Sequence, residues 1–502
     1  WHNWSGNQKS TPTKIFRPKN LQDIKNIIEL AKTNHKKIRC SGSGHSWSSL
    51  SVTNDYLVLN ENLNKIEINY NERLKIWTVT TEPGVKFKDL DNALSEHNPP
   101  LTLTSATVLD NVTTGGVVAP GCHGAKCDNA TIPDKVISIQ IVTSSDGEVH
   151  EFSDEIDPEE MSAARINLGL LGIIYKITFE VEPMFHLEMI DTTPDIKTDW
   201  NASNIKRIFT ESDSLEIFYW PFNTPELEEE NDKIWIKQHK RTQDPVEKSE
   251  GHLKFERVIQ TLSVKFGDHI YDFMTKLPTS TPFITHLLFE AGVHENDVVL
   301  LAPDAIHYQA GISNIPCLDL EFSIKVDQDF SNVIEEVNYI VKRVRRQLDA
   351  YYHLFCIKIL KSTQPLKIFN TFKQIYEEAS KKNFPVNLTA ELRINKSSRC
   401  LLATTYDKDP DVNFVMLEIL SVNGTKGFQE FSIELAERWM SKYNAQPHWA
   451  KLWEYVPNII PHIKKCLSVD DRLNRFEKVR AKYDPEEYFF DNKNLREIFG
   501  KE

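Results

Sequence analysis

The first 184 residues alternate between two spacings of apolar side chains. Behind Asn20, a residue type that caps helix N-termini, apolar residues recur every three or four positions, which predicts a helix. These positions are Leu21, Ile24, Ile27, Ile28 and Ala31. A second helix is predicted over Phe87–Leu94, after the Pro83-Gly84 turn. Apolar or alternating runs predict strands at Lys37–Cys40, Tyr56–Leu59, Leu74–Thr80, Val136–Thr143 and Ile173–Val181.

From about residue 185, strand patterns alternate with longer helical ones. The period of Asp329–Asp349 predicts one helix, and the acidic run Glu226–Asp232 predicts a surface loop. Strands are predicted at Leu215–Trp220, Ile234–Gln238, Leu318–Lys325 and Val412–Leu420. This pattern is typical of an antiparallel sheet with helices on one side, followed by a helical tail from about residue 430. We therefore expect an α+β chain divided into residues 1–184, 185–430 and 431–502.

Charge and composition exclude some classes of partner. The chain has 502 residues, 40% of them hydrophobic, which is ample for a large core. Its net charge of −13 gives no electrostatic footprint for nucleic acid and no attraction to an anionic membrane. No apolar stretch has the length needed to span a bilayer. We expect neither a nucleic-acid partner nor a transmembrane segment.

Sequons and cysteines bear on the compartment. Seven Asn-x-Ser/Thr sequons occur, at Asn3, Asn111, Asn129, Asn201, Asn387, Asn395 and Asn423. The seven cysteines are scattered, odd in number and without a recognisable disulfide framework. The sequons favour a secreted glycoprotein, but the sequence leaves the compartment open.

Three glycine-containing segments are candidates for holding a phosphate-bearing ligand. They are Ser41–Ser46, Thr113–Gly124 and Leu168–Ile174. Small residues after a strand let backbone N–H groups approach an anion closely. Each segment alone is compatible with an ordinary turn, and Gly42-x-Gly44 lacks the third glycine of a dinucleotide fingerprint. Their order and spacing together are far more specific.

With these segments the chain resembles the aldonolactone oxidoreductases. These include gulonolactone oxidase, arabinonolactone oxidase and galactonolactone dehydrogenase, flavoproteins of the vanillyl-alcohol-oxidase type. The resemblance extends over nearly the whole chain and is densest at 37–50, 101–182, 385–394 and 446–453. It implies a two-subdomain FAD-binding domain at 1–184 and a cap domain at 185–430, in which helices flank an antiparallel sheet. The C-terminal segment 431–502 would return to the FAD-binding domain.

The resemblance also implies covalent FAD. The family's Gly-Ser-Gly-His-Ser loop matches Gly42–Ser46, and its histidine, here His45, bears the isoalloxazine through the 8α-methyl carbon. The second glycine segment would wrap the pyrophosphate and ribityl chain, and the third would lie beside the adenine half. The cofactor-binding residues implied are Ser41, Gly42, Ser43, Gly44, His45, Ser46, Ser105, Ala106, Thr107, Thr113, Gly116, Gly121, His123, Gly124, Gly172, Ile173 and Ile174.

Two further segments would carry the chemistry. Glu391 and Arg393 lie two residues apart in a predicted strand, so they share one face; alone, this pattern is typical of a surface ion pair. The family's Glu-x-Arg pair matches them, and its His-Trp-Gly/Ala-Lys segment matches His448–Lys451. The resemblance implies hydride transfer from C2 of a sugar lactone to flavin N5. Glu391 and Lys451 would position or accept the hydroxyl proton, Arg393 would stabilise negative charge, and His448 would accompany them.

The sequence leaves the substrate and the electron acceptor open. Ala106 stands where the family's oxidases usually have glycine, and its methyl group would restrict the approach of oxygen to the flavin. The acceptor that reoxidises the flavin is therefore left open between oxygen and another compound. An alditol or oligosaccharide oxidase would use the same cofactor, and a flavin-binding secreted glycoprotein with little turnover is the alternative of another class. Cys122, His123 and Cys127 form one cluster without a partner pair of ligands, so we expect no metal.

Overall fold

The computed structural model describes residues 1–194, 198–220, 233–246, 296–308, 316–344 and 384–500, with isolated positions between 275 and 293. Some predictions lie outside these residues. They are the acidic run Glu226–Asp232 and the end of the helix predicted over Asp329–Asp349; one of the seven cysteines, Cys356, also lies outside. Within the described part, residues 331–344 are helical.

The chain begins with a small parallel sheet beside one helix. Its strands are β1 (Lys14–Phe16), β2 (Ile38–Ser41) and β3 (Tyr56–Leu59), in the order β1-β3-β2. Helix α1 (Leu21–Thr33) starts as predicted, since the side chain of Asn20 accepts a hydrogen bond of 3.0 Å from the backbone N–H of Asp23. Its apolar stripe is buried with β2 and β3, so that β2 delivers the chain to residue 41.

A six-stranded sheet follows. Its strands are β4 (Ile66–Asn71), β5 (Ile76–Thr81), β6 (Leu101–Leu103), β7 (Val136–Val142), β8 (Val149–Ser153) and β9 (Ile173–Pro183), in the order β4-β5-β9-β7-β8 with β6 also on β9. The helices are α2 (Phe87–Ser95), α3 (Thr114–Val118) and α4 (Pro158–Arg165). The strand predicted at Leu74–Thr80 starts too early: Lys75 has a φ of +58°, which places it in the turn after β4.

The third sheet has eight strands, and its named pairs are antiparallel, as predicted. Its strands are β10 (His186–Thr192), β11 (Ser214–Trp220), β12 (Lys233–Thr242), β13 (Asn296–Leu301), β14 (Cys317–Lys325), β15 (Ala390–Lys396), β16 (Asn413–Val422) and β17 (Gln446–Pro447). Their order is β13-β10-β12-β11-β15-β16-β14-β17. The remaining named helices are α5 (Ala202–Thr210), α6 (Ala302–Ile306), α7 (Phe428–Tyr443), α8 (Ile459–Ser468), α9 (Arg472–Tyr483) and α10 (Lys493–Ile498).

The C-terminal tail connects the large sheet to the first part of the chain. β17 pairs with β14, and the N–H of Trp47 then donates to the carbonyl of Ala450 at 2.7 Å. Further on, the N–H of Ile38 donates to the carbonyl of Tyr488 at 2.8 Å. One apolar core runs through both larger sheets and the tail. The tail therefore brings residues 448–451 beside the loop at 41–46.

The burial of the sequon asparagines bears on the expectation of a glycoprotein. Four of the seven sequon asparagines are buried, which leaves Asn111, Asn201 and Asn423 as the sites where glycosylation stays a prediction. The six described cysteines are free thiols. Among the described residues, no helix is both long and apolar enough to cross a membrane.

Candidate active site

A cavity of about 440 Å³ lies between the glycine segments and the eight-stranded sheet. Backbone of the glycine segments forms one part of its wall, and charged side chains form another. We call the first part the glycine wall: residues 41–46, Thr113, Gly115, Gly116, Gly169 and Gly172. We call the second the charged wall: Asp319, Glu321, Glu391, Arg393, Glu418, His448 and Lys451.

The loop at 41–46 forms the centre of the glycine wall. All six of its residues line the cavity, as predicted for a cofactor loop. A Cβ atom at Gly42 would collide with the side chain of Thr113, and Gly44 has a φ of +75°. The hydroxyl of Ser43 donates to the carbonyl of Asn111 at 2.6 Å. Glycine is needed here because two loops approach each other closely.

The second glycine segment contributes in part to the wall. Thr113 caps α3 by accepting a hydrogen bond of 3.3 Å from the N–H of Gly116, and both residues line the cavity together with His123. Gly121 and Gly124 do not line it. They shape the loop instead, because a Cβ at Gly121 would press on Ile166 and one at Gly124 would collide with the carbonyl oxygen of Ala106.

The turn before β9 also leaves no room for a side chain. Gly172 has a φ of +150°, and a Cβ there would collide with the carbonyl oxygen of Val142. Gly172 and Ile174 line the cavity, whereas Ile173 is fully buried in the separate apolar cluster around α1. The side chains at 173 and 174 therefore lie on opposite faces of the strand.

The segment 105–107 divides two cavities. Thr107 lines the main cavity, while Ser105 and Ala106 line a second cavity of about 30 Å³. Glu216 and His239 also line this smaller space. Ala106, which sequence reasoning placed at the approach of oxygen, thus stands outside the main wall.

The glycine wall fits a dinucleotide cofactor. Its backbone is accessible along the cavity, and side chains at its glycine positions would fill the space beside the backbone or collide with neighbouring loops. His45 lines the cavity and, among the described residues, makes no hydrogen bond through its ring; Nδ1 is buried without a partner. Burial, and then the charges of Lys451 and Lys86, lower the pKa of His45 to about 4. A neutral, unbonded imidazole suits attachment to a cofactor.

Three glutamates stand in one row across the charged wall. Glu391 of β15 is paired with Glu418 of β16, which is paired with Glu321 of β14. All three are buried. Like charges directly opposite each other in a sheet are destabilising. The row is therefore stable only because cations lie against it.

Arg393 is the first of these cations. Its guanidinium contacts Glu391 closely, reaches Glu216 at 3.2 Å, and lies 3.6 Å from Glu418. Burial alone acts to lower its pKa, but Glu391, Glu418 and Glu216 raise the pKa of Arg393 above its ordinary value. Glu391 and Arg393 both line the cavity, so the predicted shared face is confirmed and the surface ion pair is not what forms.

Lys451 is the second cation. Its ammonium closely contacts Asp319 and Glu418, and lies 3.4 Å from Glu321. It also lies 4.7 Å from the centre of the Trp47 ring. Burial opposes its charge, but Asp319, Glu418 and Glu321 raise the pKa of Lys451 well above its ordinary value. Lys451 therefore stays an ammonium.

The carboxyl groups of the charged wall differ in their tendency to ionise. Burial, opposed by Arg393 and reinforced by Glu418, raises the pKa of Glu391 well above its ordinary value. Burial and Glu418 also raise the pKa of Asp319. By contrast, Lys451 and Arg393 overcome burial and lower the pKa of Glu418 to about 2. Neighbouring carboxyls with separated pKa values are typical of acid–base sites.

Two histidines flank Glu321. His123 Nε2 lies 2.7 Å from Glu321 Oε1, and the N–H of Ala450 donates to His448 Nδ1 at 3.2 Å. The three side chains bring possible metal-ligating atoms within 4.8 Å of one another. Because His448 accepts at Nδ1, its neutral ring carries the proton on Nε2, where a metal would need a lone pair. Hydrogen bonding accounts for this cluster without an ion.

Sequence reasoning missed Asp319, Glu321, Glu418 and Glu216. Asp319 and Glu321 have the same i, i+2 spacing as Glu391 and Arg393, so this pair carried a usable signal. Glu418 carried none, because its place depends on the register of β15, β16 and β14.

The chain matches two family models. A family described as FAD binding domain matches residues 12–153. A family described as D-arabinono-1,4-lactone oxidase matches residues 177–498, more than half of the chain. The chain belongs to the D-arabinono-1,4-lactone oxidase family. It is an FAD-dependent oxidoreductase that acts on CH–OH groups, as the family resemblance implied.

Individual relatives agree with this membership. The D-arabinono-1,4-lactone oxidase of Candida glabrata is 23% identical over 100% of this chain and 96% of its own length. The L-gulonolactone oxidase of Bos taurus is 28% identical over 38% of this chain and 41% of its own length. The predicted aldonolactone oxidoreductase family is confirmed, and neither an alditol or oligosaccharide oxidase nor a binding protein with little turnover is favoured.

A solved structure shares the fold. Cholesterol oxidase from B. sterolicum superposes with a TM-score of 0.76 over 99% of this chain and 96% of that chain, at 16% sequence identity. At this identity the likeness is one of fold. The expected architecture, an FAD-binding part of the vanillyl-alcohol-oxidase type joined to an antiparallel sheet, is confirmed.

Proposed function

We propose that this enzyme oxidises the C2 hydroxyl of an aldono-1,4-lactone, with FAD linked covalently to His45 and dioxygen as the final acceptor. The substrate class is supported by the relatives, which are named for aldono-1,4-lactones and gulonolactone. The linkage is supported by the neutral, unbonded imidazole of His45 in the cavity wall. We further propose that residues 1–184 bind the cofactor, 185–430 the substrate, and that 431–502 joins the two.

The state of Glu391 carries the proposal. Its carboxyl group is buried, lines the cavity, and has a pKa raised well above the ordinary value. A carboxylate whose pKa is raised is a stronger base than an ordinary glutamate and accepts a hydroxyl proton more readily. Lys451 cannot take this role, because three carboxylates hold its ammonium in the charged state. We therefore assign proton acceptance to Glu391.

The remaining charged groups orient the substrate. When bound along the glycine wall, FAD supplies the acceptor for the hydride that leaves C2. Arg393 stabilises negative charge that develops on the substrate oxygen as Glu391 draws the proton away. Lys451, which lines the cavity, balances the charge of Asp319, Glu321 and Glu418 beside Glu391. His448, neutral with its proton on Nε2, offers a further hydrogen-bond donor.

Aromatic side chains close the apolar part of the cavity. Phe218 and Trp235 stack with ring centres 5.1 Å apart, and both line the cavity with Trp220. An apolar ring surface suits the C–H face of a neutral sugar lactone, while the charged wall suits its hydroxyl groups. This division gives the lactone one orientation.

Anaerobic reduction tests the proposal. Purified holoenzyme is mixed without oxygen with a panel of aldono-1,4-lactones, alditols and oligosaccharides, and bleaching of the flavin band is followed. We expect bleaching with lactones, and a rate that falls about 10²- to 10⁴-fold in Glu391→Gln. The matched control is Glu182→Gln, because Glu182 forms an ion pair with Arg241 outside the cavity.

Two results would contradict the proposal. Equal bleaching rates in Glu391→Gln and Glu182→Gln would remove Glu391 from the proton step. Reduction by alditols or oligosaccharides in preference to lactones would overturn the substrate class. Air reoxidation of the lactone-reduced enzyme then tests dioxygen as acceptor.

A further inference from the structure

The first ten residues lie across the loop that carries His45. We call residues 1–10 the N-terminal strap. The N–H of Trp4 donates to the carbonyl of Gly44 at 2.8 Å, and the side chains of Asn3 and Asn7 donate to the carbonyls of Ser46 and Trp47 at 2.9 and 2.8 Å. The strap thus follows the backbone of the loop on both sides of His45.

The strap places an aromatic ring on the imidazole. The rings of Trp4 and His45 are stacked, with centres 4.7 Å apart and an interplanar angle of 20°. Trp47 meets Trp4 edge-on, with ring centres 5.7 Å apart at 89°. Offset or edge-on packing of this kind is the favourable geometry for aromatic rings. Trp4 is therefore held on one side by Trp47 and covers His45 on the other.

Stacking is the contact that orients this imidazole. Ligating or catalytic histidines are usually oriented by a hydrogen bond at one ring nitrogen. Among the described residues, none forms such a hydrogen bond with the His45 ring, and Nδ1 of His45 is buried without a partner. Rotation of the ring about its Cβ–Cγ bond is instead restricted by the indole plane of Trp4.

We propose that Trp4 is a positioning residue that holds the imidazole of His45 in the orientation required for covalent attachment of the flavin. This inference rests on the proposed linkage to His45. In that step the imidazole loses its N–H proton, one C–H bond of the 8α-methyl group breaks, and a nitrogen–carbon bond forms. The two protons and one electron pair released in this way are taken up by dioxygen, which is reduced to hydrogen peroxide.

The surroundings keep the imidazole reactive while Trp4 orients it. Attack on carbon needs a free lone pair, hence a neutral ring. Burial and the nearby lysines Lys451 and Lys86 lower the pKa of His45 to about 4, so the ring is neutral at physiological pH. A stacking indole fixes the plane of the ring and occupies neither nitrogen, whereas a hydrogen-bonding partner would occupy one.

The test measures the rate of attachment rather than turnover. The full chain, produced without flavin, is mixed with FAD, and flavin that remains on the protein after acid denaturation is measured over time. Trp4→Phe retains a stacking ring, whereas Trp4→Leu retains apolar bulk without one. We expect near wild-type attachment in Trp4→Phe and attachment about two- to tenfold slower in Trp4→Leu, the range for loss of one aromatic pair.

A second tryptophan provides the matched control. Trp77 packs against His97 with ring centres 5.1 Å apart, outside the cavity wall. Trp77→Leu removes a similar ring from a histidine and should attach FAD at the wild-type rate. Equal rates in Trp4→Leu and Trp4→Phe would overturn the role of Trp4.

Two further outcomes are decisive. If Trp4→Leu does not fold, Asn7→Ala is used instead, because it loosens the strap at Trp47 without altering the rings of Trp4 or His45. Slower flavin attachment in Asn7→Ala supports the proposal, and attachment at the wild-type rate overturns it. If the wild-type chain itself retains no flavin after denaturation, the covalent linkage is wrong and the role of Trp4 falls with it. Lactone-dependent bleaching would still stand in that case, so the two failures are distinguishable.

Discussion

The two parts of the cavity wall are built on opposite principles. The glycine wall is backbone packed against backbone, and its residues contribute little charge. The charged wall is a row of buried carboxylates held together by Arg393 and Lys451. The glycine wall does not accommodate an added methyl group. The charged wall does not accommodate an unbalanced charge, because a buried carboxylate without its cation is costly.

The largest effect is expected from a methyl group in the glycine wall. Gly172→Ala places a Cβ against the carbonyl oxygen of Val142 at a φ of +150°. We expect the flavin-free chain to lose about 3 kcal/mol or more of its free energy of unfolding, or to fail to fold. Thermal and urea unfolding measure this loss.

Gly147→Ala is the control for that substitution. Gly147 has a φ of +77°, but nothing lies near the position of its Cβ. It should lose only the cost of the left-handed backbone, about 1–2 kcal/mol. Equal losses in the two variants would show that close packing of loops does not define the glycine wall.

Removal of a cation is the corresponding change in the charged wall. Lys451→Met leaves Asp319, Glu418 and Glu321 without their shared partner. We expect anaerobic flavin reduction to slow about 10²- to 10³-fold, as when one preorganised electrostatic group is lost. Lys325→Met, which removes a more exposed ion pair of 2.7 Å with Asp407, is the control and should reduce at the wild-type rate.

Lys451→Met should also change the pH dependence of the free energy of unfolding in a defined direction. Lys451 lowers the pKa of Asp319, Glu418 and Glu321, so its removal should raise these pKa values, and the folded variant should bind more protons than folded wild type. The free energy of unfolding must then fall as pH rises from 5 to 8, relative to wild type. Unfolding curves over this range measure it, and an unchanged pH slope would mean that Lys451 does not hold these groups.

The same contrast explains what the sequence predicted. The glycine wall is local: the 41–46 loop and Gly172 lie in short glycine-containing segments, and the order and spacing of these segments carried the resemblance that assigned them to the cofactor. Asn20 was recognised as a helix cap because capping also depends only on residues close in sequence. The charged wall is mostly non-local. Glu418 faces Glu391 and Glu321 only through the register of three strands that are far apart in sequence.

Some residues that the resemblance assigned to the cofactor do not line the cavity. Ile173 was grouped with Gly172 and Ile174, but alternation along β9 turns its side chain to another core. Gly121 and Gly124 support loops rather than the cavity wall. In each case a neighbour in sequence was taken as a neighbour in space, and the strand pleat or the loop geometry separated the two.

A smaller effect is expected from removing one charge of the glutamate row. Glu418 raises the pKa of Glu391, so Glu418→Gln should lower it. Because Glu391 accepts a proton only when ionised, the rise of the reduction rate with pH should move to lower pH. The pH profile of anaerobic reduction measures this shift, with Glu182→Gln as the control; a shift to higher pH would contradict the proposed coupling.

The smallest effect is expected at the boundary between the two cavities. Ala106 is buried and lines the small cavity rather than the main one, so its methyl group does not face the main cavity. We expect Ala106→Gly to speed air reoxidation of the reduced enzyme by less than about tenfold, since one methyl group is worth roughly 1 kcal/mol. Stopped-flow mixing of lactone-reduced enzyme with oxygen measures the rate. Ala119→Gly, which removes a methyl group directly from the main cavity, is the control. If only Ala119→Gly responds, oxygen approaches through the main cavity and Ala106 does not limit it.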